Sequence, residues 1–81
     1  MMKMSDSRRQ AERLCRFWNA GYRGSPYTFE VESEDGETWG VRQYSNDAPV
    51  VFWTLAQDSA GEWWASHACN MVRMSHIPED A

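Results

Sequence analysis

The residues of this chain with chemistry to offer are two histidines, two cysteines and a row of carboxylates. His67 stands two residues before Cys69, and a metal would need one or two further ligands converging on that pair. The sequence supplies none at finger spacing. His67 and His76 are therefore read as structural or surface histidines. Cys15 falls on the apolar side of a helical pattern and reads as a small buried hydrophobe rather than a nucleophile. The carboxylates crowd into "FEVESEDGETW", where Glu30, Glu32, Glu34, Asp35 and Glu37 occupy five of eight consecutive positions. A carboxylate pair performs acid–base work only in a pocket that drives its two pKa values apart, and an exposed row provides no such pocket. Gly21 and Gly24 read as helix-ending residues, not as a phosphate-binding loop. The expectation is a protein that is not an enzyme and takes no cofactor and no metal.

The charges are unevenly placed. Residues 1–24 hold six basic residues and two acids, whereas residues 25–81 hold two basic residues, Arg42 and Arg73, and ten acids. The chain of 81 residues thus has a basic head and an acidic body within a net charge of −4. Such a division speaks to partners rather than to fold. Its length suits one domain spanning residues 1–81, with 1–4 and 76–81 expected to fray. The N-terminus lacks the apolar stretch of a secretion signal, and the longest apolar run, "PVVFWTLA", is too short to cross a bilayer. A cytoplasmic protein with reduced thiols is expected, with no membrane partner.

The elements that must carry these residues follow from two periods. Residues 5–20 repeat with helical spacing: Ala11, Leu14, Cys15 and Trp18 share one face, with Arg9, Arg13 and Arg16 opposite. Ser7 with Gln10 fits a capping box, with Ser5 and Asp6 as competing caps. From Tyr27 the period becomes two, placing Phe29 and Val31 on one side and Glu30 and Glu32 on the other. A three-residue turn, Glu34–Gly36, would pair Val31 with Trp39 and Phe29 with Val41, with Gly36 left-handed. "VVFWTLA" (50–56) is apolar on both parities and reads as a central strand covered on both sides. Residues 62–68 read as a fourth strand, and 69–74 fit either a fifth strand or a short helix. The fold class expected is α+β, an N-terminal amphipathic helix packed on an antiparallel meander of four or five strands.

Five tryptophans cannot all enter the core of so short a chain, and Trp63 and Trp64 must face opposite ways if they lie in a strand. Aromatics such as Tyr44 and Trp64 should then stand partly exposed beside the acids, as anchors in a protein-binding hot spot do. Carboxylates two apart on a strand lie roughly 6.6–7 Å apart, close to the phosphate spacing along a nucleic-acid strand. The row can therefore satisfy a basic groove shaped to hold nucleic acid. The binding residues expected are Glu30, Glu32, Glu34, Asp35, Glu37, Tyr44 and Trp64, in a monomer or weak dimer. The competing expectation is a small regulator that grips DNA or RNA through Arg9, Arg13 and Arg16.

In size, acidity, tryptophan content and its "FEVESEDGETW" hairpin, the whole chain resembles the small anti-CRISPR proteins of phages. The resemblance implies an inhibitor that docks on the basic DNA-binding groove of a type I (Cascade) complex as a nucleic-acid decoy. The arginine helix departs from an all-acidic decoy and points to a single acidic face.

Overall fold

Ala11, Leu14 and Cys15 are buried on one side of a helix, α1, that runs Asp6–Gly21 in the structure, a computed structural model describing residues 6–79. Residues 1–5 and 80–81, which include the expected fraying at 1–4 and at the last two positions, lie outside the described residues. The helix closes where Tyr22 N–H donates to Trp18 O at 2.8 Å, and Gly24, at φ 88°, turns the chain back. Ser7 does not form a capping box. It lies buried in the first turn, its Oγ donating to Glu37 O and accepting from Trp39 N–H, each at 3.2 Å. The helix begins at Asp6, so the Ser7 hydroxyl lies past the cap and serves a distant hairpin instead.

Five strands follow: β1 (Tyr27–Ser33), β2 (Trp39–Ser45), β3 (Ala48–Gln57), β4 (Trp63–His67) and β5 (Asn70–Arg73), antiparallel and in sequence order across one sheet. This is the α+β meander expected, and residues 70–73 settle as a fifth strand before a single 3-10 turn, Met74–His76. Helix α1 packs across β1, β2 and β3 on one face of the sheet. The core on that face comprises Leu14, Phe29, Val41, Leu55 and Ala65 among others, with Trp18, Trp53 and Trp63 packed against it. Met74 and Ile77 extend it behind β4.

The β1–β2 register differs from the expected one by two residues. Val31 pairs with Val41, Phe29 with Gln43 and Ser33 with Trp39. A shift of two preserves which side chain faces which way, so Phe29 and Val31 still meet the helix and Glu30 and Glu32 still face away. The cause is the loop, five residues rather than three. Asp35 Oδ1 accepts from Glu37 N–H at 2.9 Å and Thr38 N–H at 2.8 Å. Ser33 Oγ accepts from Gly36 N–H and donates to Thr38 O, both at 2.8 Å. Side chains thus take the hydrogen bonds a tighter hairpin would give to backbone. Gly36 is left-handed as expected, at φ 79°.

The β2–β3 connection is a two-residue turn, Asn46–Asp47, with both residues at positive φ (51° and 67°), the geometry that matches strand twist. Val50 is extruded at a bulge as Gln43 and Tyr44 pair with Val51 and Pro49. Strand β3 is central, but among the described residues no element covers its second face. Thr54 and Ala56 are exposed and Phe52 is half-buried, so the double coverage expected from its apolar run is not found. The tail is also less free than expected at 76–79. Ile77 is buried, its N–H donates to Met74 O at 3.0 Å, and its carbonyl accepts from Arg13 Nη2 at 3.0 Å.

Candidate docking face

The face of the sheet away from α1 carries alternate residues of every strand: Glu30 and Glu32 from β1, Arg42 and Tyr44 from β2, Phe52 from β3, Trp64 from β4 and Arg73 from β5. Strand parity accounts for this set, and the antiparallel order sets the acids at one edge.

Gly40 shapes the middle of the face. A Cβ there would fall on Trp53 O and within 2.5 Å of Phe52 Cζ, so only glycine lets the Phe52 ring lie down across β2. Arg42, paired directly with Phe52, places its guanidinium 4.7 Å from the centre of that ring. Arg42 Nε also reaches Glu32 Oε1 at 3.4 Å, and Tyr44 Oη–H donates to Glu32 Oε2 at 2.6 Å. The hydrogen bond to Glu32 first, partial desolvation second and the charges of Glu32 and Glu30 after these push the phenol pKa up to about 12.

The same pattern recurs at the other side of the face. Arg73, paired with Trp64, stacks 4.8 Å from that ring and approaches Glu62 at 3.8 Å. Trp64 Nε1–H donates to Asp58 Oδ2 at 2.9 Å, which fixes the indole. That bond and the Glu62 N–H hold the Asp58 carboxyl below its usual range. Trp63 faces the core, so the two adjacent tryptophans divide between faces as parity requires.

The five hairpin acids divide by task. Asp35 organises the loop, and the N–H groups of Thr38 and Glu37 hold its carboxyl below the usual range. Glu32, whose side chain is 35% exposed, is engaged by Arg42 and Tyr44. Glu30, Glu34 and Glu37 are exposed. Glu34, Asp35 and Thr38 form one wall of a shallow depression floored by Phe52 and Thr54.

The arginines of α1 do not form the free patch expected. Arg13, with a side chain 12% exposed, donates to the carbonyls of Met74 and Ile77 and approaches Glu79 at 3.4 Å. It faces the C-terminal turn because that turn folds back beneath β4 and ends in carbonyls that need donors. Arg9 is exposed and lies 3.7 Å from Asp6, and Arg16 is exposed. The cleft these three line also contains Asp6, Glu12 and Glu79. Carboxylates interleaved with arginines in this way make a poor phosphate track.

Sequence reasoning by strand parity puts Arg42 on the open face among the acids, as found, but missed Phe52 and Arg73 as members of it. The signal was present: the only two basic residues after position 24 lie in strands on the parity that carries the acids. Among the described residues no three His, Cys, Asp or Glu side chains come together as around a metal ion, and no helix is long and apolar enough to cross a membrane. The fold and face define the protein by class alone, a small α+β domain with one uncovered sheet face. No family model, no characterised protein and no solved structure matches the chain.

Proposed function

We propose that this is a non-enzymatic inhibitor or adaptor that binds a basic protein surface through the acidic end of its uncovered sheet face. One observation carries the reading. Both basic residues of the acidic body are stacked on rings and paired with carboxylates inside the face, while Glu30, Glu34 and Glu37 project to solvent at its edge. The exposed potential at that edge is negative, beside the aromatic rings of Tyr44 and Phe52, whereas Trp64, expected beside the acids, lies at the far side of the face on β4. Desolvated carboxylate–arginine contacts slow dissociation, while outlying charges speed encounter. The DNA-binding groove of a type I Cascade complex, suggested by the resemblance to anti-CRISPR proteins, is a surface of the required charge. Arg9, Arg13 and Arg16 play no part in this reading.

The test uses Glu30→Lys, Glu34→Lys and Glu37→Lys together, and Arg9→Glu with Arg16→Glu as a separate variant. Each is measured against a purified Cascade complex in competition with its target DNA, and against free duplex of random sequence. The expected result is that the wild type and the arginine variant displace target DNA while the glutamate variant does not. Tight binding of the wild type to free duplex at physiological salt, or an unaffected glutamate variant, overturns the proposal.

A further inference from the structure

Glu32, Tyr44 and Phe52 surround a guanidinium, and the group seated there belongs to the chain itself. Arg42 lies 4.7 Å from the centre of the Phe52 ring while its Nε reaches Glu32 Oε1 at 3.4 Å. The Tyr44 hydroxyl holds the other carboxylate oxygen at 2.6 Å and so aims Oε1 at the cation. The ring is held down because only glycine stands beneath it at position 40. A planar cation above a ring, edge-on to an oriented carboxylate, is how a guanidinium is recognised, and an ammonium uses the ring less well. The arrangement occurs twice on the same face, with Trp64, Arg73 and Glu62 repeating the pattern and Asp58 holding the indole as Tyr44 holds the carboxylate.

We propose that the uncovered face is a reader of arginine side chains. In the free protein its sites are filled by Arg42 and Arg73. A partner arginine enters the Glu32–Phe52 site by displacing Arg42, which swings to solvent. The inference rests on the proposed binding to a basic partner and names the side chain that partner must present. Self-occupancy has a defined consequence. A site open for only a fraction of the time binds with an affinity reduced by that fraction, so removing the internal occupant tightens binding. A half-buried ion pair and one stacked ring together correspond to an effect of about fivefold.

The probes are short oligoarginine and oligolysine peptides of equal length, titrated by calorimetry against the full chain. Arg42→Gln empties the site. Arg23→Gln, at an exposed position following α1, removes the same charge elsewhere. Arg42→Gln should tighten oligoarginine about fivefold and oligolysine less than about twofold, while Arg23→Gln should change either by less than about twofold. In the wild type, added oligoarginine should move the Arg42 Nε–H resonance to the position of a solvent-exposed arginine, a readout that needs no variant. Weaker or unchanged oligoarginine binding by Arg42→Gln, equal tightening by Arg23→Gln, or a static Arg42 resonance overturns the inference. None of these touches the broader reading, which fails separately if the Glu30, Glu34 and Glu37 reversal leaves oligoarginine binding intact.

Discussion

The side chain of Asn19 takes both backbone groups of Phe29. Phe29 N–H donates to Asn19 Oδ1 at 3.0 Å, and Asn19 Nδ2–H donates to Phe29 O at 2.9 Å. Strand β1 is an edge strand, and this pair of bonds gives it, at one residue, what a further strand would have given. Asn19→Ala should lower stability by about 1–3 kcal/mol, because Phe29 N–H loses its partner and Phe29 O keeps only the weak Cys15 thiol donor. It should also raise concentration-dependent association through the bared edge. Urea unfolding and light scattering measure the two effects. A variant as stable and as monodisperse as the wild type would show that the amide does not guard the edge.

Tyr44 should ionise well above the ordinary range of a phenol. Its pKa is raised from 10.0 to about 12 by the hydrogen bond to Glu32 and by the charges around it. A neutral phenol favoured in the folded state stabilises fully below the unfolded pKa of about 10, and that stability is lost as pH rises through the folded value of about 12. The tyrosinate absorbance that disappears in Tyr44→Phe should titrate near pH 12 in the wild type and shift toward pH 10 in Glu32→Gln. An unshifted transition in Glu32→Gln would remove Glu32 as the cause.

Gly40→Ala should lift Phe52 off the sheet and take Arg42 with it. The added methyl meets the Trp53 carbonyl and the Phe52 ring, so a cost of about 1–3 kcal/mol is expected, as for overpacking at a close site. A double variant with Phe52→Ala relieves the ring but not the carbonyl and should recover only part of that cost. Full stability in Gly40→Ala, measured by thermal unfolding, would contradict the close approach.

The two thiols should differ sharply toward an aromatic disulfide reagent. Cys69 is exposed at the β4–β5 turn, whereas Cys15 is buried with its Sγ 3.1 Å from Phe29 O. Burial first, and the charge of Glu30 second, raise the Cys15 pKa, which suppresses the reactive thiolate further. Cys69→Ser should therefore abolish the fast phase and leave a slow one. Cys15→Ser should cost no more than about 1 kcal/mol, because Phe29 O and Asn19 Nδ2 stand ready to bond the buried hydroxyl. Two fast thiols in the native protein would refute the burial.

Arg13→Ala should release the segment after β5, at a cost of about 1.5–3 kcal/mol for hydrogen bonds made by a charged donor. Arg9→Ala, at a position 68% exposed, should be close to neutral. Hydrogen exchange of the Ile77 amide reads the difference directly, and equal exchange rates in the two variants would exclude Arg13 as the clasp.

Periodicity made the faces legible, because side-chain direction depends only on parity. Phe29 and Val31 against Glu30 and Glu32, and Trp63 against Trp64, stand where alternation puts them. Register was not legible in the same way. It depends on the carboxylate of Asp35 and the hydroxyl of Ser33 reaching backbone groups two to five residues on, and hydrophobic pattern carries no information about that choice. Arg13 shows a second limit. On the helical wheel it belongs with Arg9 and Arg16, and only the return of residues 74–77 turns it inward. The apolar strand β3 shows a third. Its outward residues need no covering element because Phe52 lies over Gly40 and Arg42 lies over Phe52, a local stacking that the apolar run alone does not reveal.

The grip of Arg13 on the carbonyls of Met74 and Ile77 joins residues 61 and 64 positions apart. During synthesis the helix is among the first segments to emerge, yet its clasp has nothing to hold until residue 77 has followed. Before then the rear of β4 lacks Met74 and Ile77 and is open to water, while α1 already covers β1 to β3. A chain stopped short of Met74 therefore leaves Arg13 without these two acceptors, and the loss should be felt at the helix.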